Sequence, residues 1–220
     1  IVGQFGLKVK PDQIYTALKM AGFSEVVEVA IGADIVSVEE AEEYIEKVPE
    51  KQAFMTSSCC PAFVQYIKSA FPALVPYVSH NLSPMAMLAK YIKETDTNSK
   101  VVFIGPCTAK KAEAQLEDVK PYVDAVITFE ELQALYDSKD IDITTLEEDV
   151  LDNASYFGRI FARSGGLSDA VAQGLKEQNI EFDLKAIPCD GIEACKMALL
   201  KLSKGVLDAN FIEGMACVGG

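Results

Sequence analysis

The sequence has little that would suit a nucleic acid or a membrane as its partner. It has 20 lysines and arginines against 33 aspartates and glutamates in 220 residues, which gives a formal net charge of −13 at pH 7. This excess of negative charge argues against binding to nucleic acid or to an anionic membrane surface. No apolar run approaches the length that crosses a bilayer, and the first residues lack the pattern of a secretory leader. We therefore expect a cytoplasmic globular protein.

Histidine is also scarce, and cysteine pairs with the Cys-x-x-Cys spacing of zinc sites do not occur. The one histidine, His80, lies in a predicted loop, where we expect no ligand role. Cys-x-x-Cys pairs are absent, which argues against a structural zinc site. Six cysteines are too few for a secreted disulfide scaffold, so we expect reduced thiols. A single cysteine would most simply be a packing residue, and we interpret Cys189 and Cys195 in that way.

The cysteines that are present include three short motifs far apart in the chain. They read Thr56-Ser57-Ser58-Cys59-Cys60-Pro61, Gly105-Pro106-Cys107-Thr108-Ala109-Lys110-Lys111-Ala112-Glu113 and Glu213-Gly214-Met215-Ala216-Cys217-Val218-Gly219-Gly220. Each motif places a cysteine beside glycine, proline or serine, at a predicted hinge. Scattered thiols that meet only in the folded protein are typical of iron–sulfur sites, since soft thiolates suit iron and zinc.

The order of predicted elements indicates an α/β fold. Strands are predicted at residues 26–30, 53–56, 101–104, 123–128, 184–188 and 208–212, and helices at 11–20, 37–48, 61–70, 84–93, 129–136, 166–178 and 192–202. This alternation predicts mainly parallel sheets flanked by helices. A polar break at Asp96-Thr97-Asn98-Ser99 suggests two lobes, residues 1–98 and 99–220. Cys60, Cys107 and Cys217 each follow a predicted strand and could converge at one crevice.

The helix predicted at residues 37–48 carries a charged face. Ser37 is expected as its N-cap, with Glu40 as the capping-box partner. Glu40, Glu43 and Lys47 have the spacing of one helix face, for which the ordinary interpretation is a solvated ion-pair stripe.

The three motifs together resemble the signatures of the large catalytic subunit of iron-only (FeFe) hydrogenases. The similarity extends in order to other stretches, including Ile14-Tyr15-Thr16-Ala17-Leu18 and Phe161-Ala162-Arg163-Ser164-Gly165-Gly166-Leu167. It therefore covers nearly the whole chain. The resemblance implies two lobes, each with a parallel sheet, and a metal site in the crevice between them. It also implies an oxidoreductase that interconverts hydrogen with protons and electrons in the full-length protein.

The cofactor implied by the resemblance is a four-iron four-sulfur cluster linked to a two-iron unit with CO, cyanide and a dithiolate amine. Three ligands of the four-iron cluster are then Cys60, Cys107 and Cys217. The fourth would follow Gly220, and the first residue is not methionine, so we expect a fragment shortened at both ends. Such a fragment is expected to be inactive and to hold the cofactor incompletely or not at all.

The resemblance also assigns roles around the cluster. Cys59 is implied as the proton-relay thiol, on a proton path with Glu40, Glu43 and Ser79. Lys110 is implied to donate a hydrogen bond to a cyanide. The alternative for this residue is a solvated side chain on an exposed helix face. The other residues implied near the two-iron unit are Glu113, Phe161 and Met215. The electron partner implied is a ferredoxin or a flanking iron–sulfur domain.

Several positions depart from the usual family pattern. Gly105 replaces a methionine, Leu82 a lysine and Phe63 a tryptophan, as in relatives thought to sense hydrogen or redox state. A second hypothesis is therefore a non-enzymatic relative that scaffolds iron–sulfur assembly. The retained Cys59-Cys60 pair argues against it, because a scaffold needs no relay thiol.

Overall fold

The computed structural model describes residues 4–6, 8–48, 50–150, 152–178, 180 and 182–220. Within them, no helix has both the length and the apolar character that a membrane span requires. The elements in chain order are α1 (Pro11–Ala21), α2 (Ala30–Lys47), β1 (Met55–Thr56), α3 (Pro61–Ala70), α4 (Pro84–Thr95), β2 (Val102–Ile104), α5 (Ala109–Glu113), β3 (Ala125–Ile127), α6 (Phe129–Asp137), α7 (Tyr156–Ile160), α8 (Gly166–Glu177), β4 (Ala186–Asp190), α9 (Ile192–Ser203) and β5 (Phe211–Met215).

The chain divides into two compact units, each assembled from two segments. The first unit comprises Ile1–Val29 and Leu88–Asn153, and the second comprises Ala30–Met87 and Ala154–Gly220. The lobe boundary predicted at residues 98 and 99 falls inside the first unit. The difference has a physical reason. Core partners come from distant parts of the sequence, since Ile14 and Leu18 of α1 share one core cluster with Leu132 and Tyr136 of α6.

The second unit contains a parallel sheet of three strands in the order β1-β5-β4. The central strand β5 is buried along its whole length. Its side chains alternate between the two faces, because Phe211 joins the core cluster formed with α2 and α8 while Ile212 joins the cluster formed with α3 and α9. Helices thus cover both faces of this sheet, as is usual for parallel strands.

The first unit contains a parallel pair, β2 and β3, in which Val102 lies opposite Ala125. The Asp124 carboxylate, just before β3, accepts a hydrogen bond of 2.8 Å from the Val101 backbone N–H and pairs with Lys93 at 2.7 Å. These charge-assisted contacts connect β3 to the start of β2 and to α4.

Local sequence signals explain several helix ends. α1 begins at Pro11, whose fixed φ suits a first turn, and is followed by Gly22, its C-cap, with φ of 109°. α6 begins with a capping box in which the Thr128 side chain accepts from the Glu131 N–H and the Glu131 carboxylate accepts from the Thr128 N–H.

Two predictions in the N-terminal third were wrong. Residues 26–30 form no strand, because α2 begins at Ala30 and the preceding segment has no pairing partner among the described residues. Ser37 is not an N-cap, since it lies within α2, where its hydroxyl donates to the Ala33 carbonyl at 2.7 Å. α2 begins earlier than predicted because Ala33 and Val36 are buried in the core cluster that also contains α8 side chains.

The two buried glycines Gly214 and Gly174 give a test of the packing in the second unit. A Cβ at Gly214 in β5 would lie 2.4 Å from ring atoms of Phe63, whereas one at Gly174 in α8 would lie 3.5 Å from the Ala41 Cβ. We expect Gly214→Ala to lower the free energy of unfolding by about 1–3 kcal/mol through overpacking. Gly174→Ala should leave it unchanged or raise it by up to about 1 kcal/mol. Denaturant unfolding measures both, and equal effects would contradict the close Phe63–Gly214 contact.

Candidate functional site

The Cys59-Cys60 segment connects β1 to α3 in the second unit. Cys60 occupies the N-cap position of α3, directly before Pro61, and is half-buried. Cys59 is 8% exposed and belongs to the core cluster with α2. The segment is fixed from β5, because the Ser57 N–H donates to the Ile212 carbonyl at 2.9 Å and the Ser57 hydroxyl accepts from the Gly214 N–H at 3.1 Å.

The Cys217 segment follows β5 at the same edge of the same sheet. Since β1 and β5 are parallel neighbours, Cys60 and Cys217 both follow carboxyl ends of adjacent strands. Gly219, two residues after Cys217, makes two backbone hydrogen bonds. Its N–H donates to the Asp190 carboxylate of β4 at 2.6 Å, and its carbonyl accepts from the Ser164 N–H at 3.2 Å. The exposed Cys217 therefore lies on a segment with a defined backbone.

Glu213 fixes the start of the Cys217 segment. Its buried carboxylate accepts from the backbone N–H groups of Gly165 and Ser168, both at 2.8 Å, and from the Ser168 hydroxyl at 2.7 Å. These donors lie at the N-terminus of α8, where the helix dipole favours negative charge. Burial raises the pKa of Glu213, and the hydrogen bonds from Ser168 and Gly165 oppose that rise. Sequence reasoning missed this role, although Glu213 stands inside the third motif.

The second motif lies in the first unit, where Cys107 follows β2 and is half-buried. The short helix α5 carries Lys110 and Glu113 on one face, and their side chains form an ion pair of 2.7 Å. Both side chains are about nine-tenths buried, with exposures of 12% and 8%. This pairing keeps a cation and its counter-charge on the helix that follows Cys107.

The donor set fits an iron–sulfur cofactor in its chemistry. None of the six cysteines, all of which lie in the described residues, forms a disulfide, so Cys60, Cys107 and Cys217 can serve as soft ligands. Within the part of the chain that the structure describes, no group of three or more His, Cys, Asp or Glu side chains is arranged to hold a metal ion. Phe161 and Met215 are both buried in the core cluster that contains Cys59.

Cys189 and Cys195 are packing residues, as predicted. Both are buried in the core cluster of α3 and α9. The Cys195 thiol donates to the Met215 carbonyl at 3.5 Å. This contact further connects α9 to the end of β5.

The second unit also contains a chain of hydrogen-bonding side chains that starts at a buried acid. The Ser79 hydroxyl lies 2.7 Å from Glu40 Oε2 and 2.8 Å from Glu43 Oε2. Glu40 is 1% exposed, and its Oε1 has no hydrogen-bond partner among the described residues. Glu43, whose side chain is 10% exposed, pairs with the more exposed Lys47. The predicted face of Glu40, Glu43 and Lys47 thus exists, but it is directed at Ser79 rather than being a solvated stripe.

The two carboxyl groups have different proton affinities. Burial raises the pKa of Glu40 to about 7, although Asn81 and Ser79 donate to it. Burial alone would also raise the pKa of Glu43, but hydrogen bonds from Lys47, His80 and Ser79 lower it below its ordinary value. At neutral pH the inner carboxyl group is therefore partly protonated while the outer one stays ionised.

Asn81 and His80 were missed as members of this chain of contacts. The Asn81 amide nitrogen donates to Glu40 Oε2 at 2.8 Å and to Glu43 Oε2 at 2.9 Å, one proton for each. The His80 N–H donates to both oxygens of Glu43 at 3.1 Å. The only hint in the sequence was that both residues directly follow Ser79. No sequence pattern predicted that this loop packs against α2.

The fold and these thiols define an α/β protein of the hydrogenase type. The chain matches the family "Iron only hydrogenase large subunit, C-terminal domain" over residues 1–220, and it belongs to that family. It is 31% identical over 230 residues to Iron hydrogenase 1 of Clostridium pasteurianum, with 96% of this chain and 40% of that protein covered. The resemblance stated from the three motifs is thereby confirmed.

Two further comparisons mark the breadth of the family. The cytosolic Fe-S cluster assembly factor NAR1 of Kluyveromyces lactis is 27% identical over 173 residues, covering 74% of this chain and 37% of that protein. The structure of the [FeFe]-hydrogenase HydA1 of Chlamydomonas reinhardtii superposes with a TM-score of 0.75 at 23% identity, covering 96% of this chain and 72% of that one. The latter shows the fold alone. The chain spans about 40% and 61% of the length of two curated hydrogenase relatives.

The raised pKa of Glu40 predicts a stability that depends on pH. A carboxyl group whose pKa is 4.5 in the unfolded chain and about 7 in the folded one destabilises the fold as pH rises between those values. The loss over that interval is about 3 kcal/mol. Glu40→Gln removes this titration, so its unfolding free energy should fall less than that of the parent, by about 1–3 kcal/mol, between acidic and alkaline pH.

The matched control is Glu42→Gln, an exposed acid on the same helix. Urea unfolding across the pH range measures all three proteins. Parallel pH curves for Glu40→Gln and the parent would contradict the raised pKa of Glu40.

Proposed function

We propose that this chain is the iron-cluster domain of a hydrogenase that oxidises hydrogen and reduces protons. The observation that carries the proposal is the buried Glu40–Ser79–Glu43 chain, in the unit that also holds Cys59 and Cys60. A buried acid with a pKa of about 7, connected by one hydroxyl to a second, less buried acid, suits proton movement. A cluster scaffold has no use for such a path.

The proposed ligands of the four-iron cluster are Cys60, Cys107 and Cys217. When bound, the cofactor supplies the iron site at which hydrogen is split or formed and the route by which electrons leave. Phe161 and Met215 are proposed to exclude water from the two-iron unit, in keeping with their burial. Lys110, oriented by Glu113 at 2.7 Å, is proposed to donate a hydrogen bond to an anionic iron ligand.

Protons are proposed to pass between Cys59 and solvent through the two acids. With Glu40 protonated and Glu43 ionised, Glu40 donates to the Ser79 oxygen while the Ser79 hydroxyl proton moves to Glu43. The hydroxyl is regenerated and one proton has moved outward. Asn81 holds both carboxyl groups within reach of that hydroxyl. Glu40 Oε1, which lacks a partner among the described residues, is the oxygen proposed to exchange a proton with Cys59.

Replacement of Cys59 tests this function. In the full-length protein matured with both iron units, Cys59→Ala should lower hydrogen turnover by about a hundredfold or more, because it removes a positioned proton donor. The matched control is Cys189→Ala, which removes a buried thiol elsewhere in the same unit. Hydrogen evolution measures turnover, and electron paramagnetic resonance checks that the four-iron cluster is retained. Undiminished turnover in Cys59→Ala would overturn the relay.

The second candidate is an iron–sulfur assembly role, which the similarity to NAR1 favours. It predicts no hydrogen turnover from the matured parent, together with transfer of a cluster to an acceptor apoprotein. We place the hydrogenase first because the relay residues are present together. The proposed redox partner is a ferredoxin or a flanking iron–sulfur domain, and the proposed location is the cytoplasm.

A further inference from the structure

His80 is attached to the outer acid of the relay at two points. Its backbone N–H donates to both oxygens of Glu43 at 3.1 Å, and its ring Nδ1 lies 2.8 Å from Glu43 Oε1. The backbone contact holds the His80 Cα close to Glu43, so the ring can contact the same carboxyl group. The side chain is nevertheless 75% exposed, and the imidazole reaches solvent.

The ring nitrogen faces one donor and one acceptor. Nδ1 lies 2.5 Å from Lys47 Nζ, which can only donate, and beside Glu43, which when ionised can only accept. One nitrogen carries at most one proton. Without a proton, Nδ1 accepts from Lys47, and with one it donates to Glu43. The surroundings therefore accommodate both states of Nδ1.

The charges around the ring are balanced. Among the described residues, the charged groups in contact with it are Glu43 and Lys47, both from α2, and they have opposite signs. Glu40 stands one hydroxyl farther in, through Ser79. Imidazole has two ring nitrogens, so it can take up a proton at one and release a proton at the other.

We propose that His80 is the surface end of the relay and carries protons between solvent and Glu43. In the outward direction the Glu43 carboxyl group, protonated by Ser79 at Oε2, rotates to bring that proton to Nδ1, which is unprotonated and takes it up, and Nε2 releases one to water. The ring ends in the other neutral tautomer. Rotation of the exposed ring or exchange with water restores the first tautomer. This role rests on the function proposed above and extends its path to solvent.

The first arm of the test is independent of the cofactor. Nitrogen-15 NMR of the full-length protein before maturation reports the tautomer of His80, whose signal is the one missing from His80→Gln. At alkaline pH, Glu43→Gln should shift the ring toward the tautomer with a bare Nδ1, since the charged acceptor is lost. Lys47→Met should shift it in the opposite direction. Glu46→Gln, an exposed acid of the same helix, is the control. Unchanged populations in both variants would overturn the proposal.

The second arm measures turnover in the matured full-length protein. His80→Ala should lower hydrogen evolution by about tenfold and increase the solvent deuterium isotope effect, with added imidazole restoring part of the rate. If His80→Ala keeps the parent rate and isotope effect while Cys59→Ala loses activity, the His80 role is wrong and the hydrogenase function stands. If Cys59→Ala also keeps the parent rate, the proposed relay itself fails.

Discussion

The burial of β5 between two parallel neighbours is the constraint on which the second unit depends. All five of its residues are buried, so each side chain must suit the face toward which it points. Phe211 and Ile212 supply the two cores, and Gly214 leaves room for the ring of Phe63. The strand pairing then sets where the third cysteine motif leaves the sheet. Cys217 emerges at the edge where β1 delivers Cys59 and Cys60, because parallel strands place their carboxyl ends together.

Two buried acids in this unit show how surroundings assign different roles to one functional group. Burial raises the pKa of both, but Glu213 accepts from fixed backbone donors at the start of α8, which oppose that rise and hold its carboxyl group in place. Glu40 accepts from the side chains of Ser79 and Asn81 and keeps one oxygen without a partner among the described residues. A carboxyl group with incomplete hydrogen bonding binds a proton more readily. Glu213 is therefore suited to holding the Cys217 segment in place, whereas Glu40 is suited to carrying a proton.

Sequence reasoning predicted the fold class, because alternating strands and helices with proline and glycine at their ends are local signals. The helices opened by Pro11, Pro61 and Pro84 begin where the sequence places them. The strand expected at residues 26–30 does not form, since valine favours a strand only where another strand is available to pair with it. The division into units was beyond local reasoning for the same reason, because contact between α1 and α6 is a property of the folded chain.

The candidate site divides in a similar way. The position of Cys60, Cys107 and Cys217 after predicted strands suggested that they could converge, and the resemblance predicted them as cluster ligands. The resemblance, not the helix pattern, pointed to Glu40, Glu43 and Ser79. Neither indicated Asn81, His80 or the anchoring carboxylate of Glu213, because each acts across a long separation in sequence.

Three groups of the proposed relay come from one tripeptide, Ser79-His80-Asn81. Its three residues supply the hydroxyl, the imidazole and the amide that contact the two acids of α2. The tripeptide is attached to the thiol segment as well, because the Ser79 N–H donates to the Thr56 carbonyl at 2.8 Å and the Ser58 hydroxyl donates to the Asn81 carbonyl at 2.7 Å. Any shift of the Cys59 segment must therefore be transmitted to the groups that contact Glu40 and Glu43. A path that needs distances of about 2.8 Å at each step gains from this coupling, since proton transfer fails when one step lengthens.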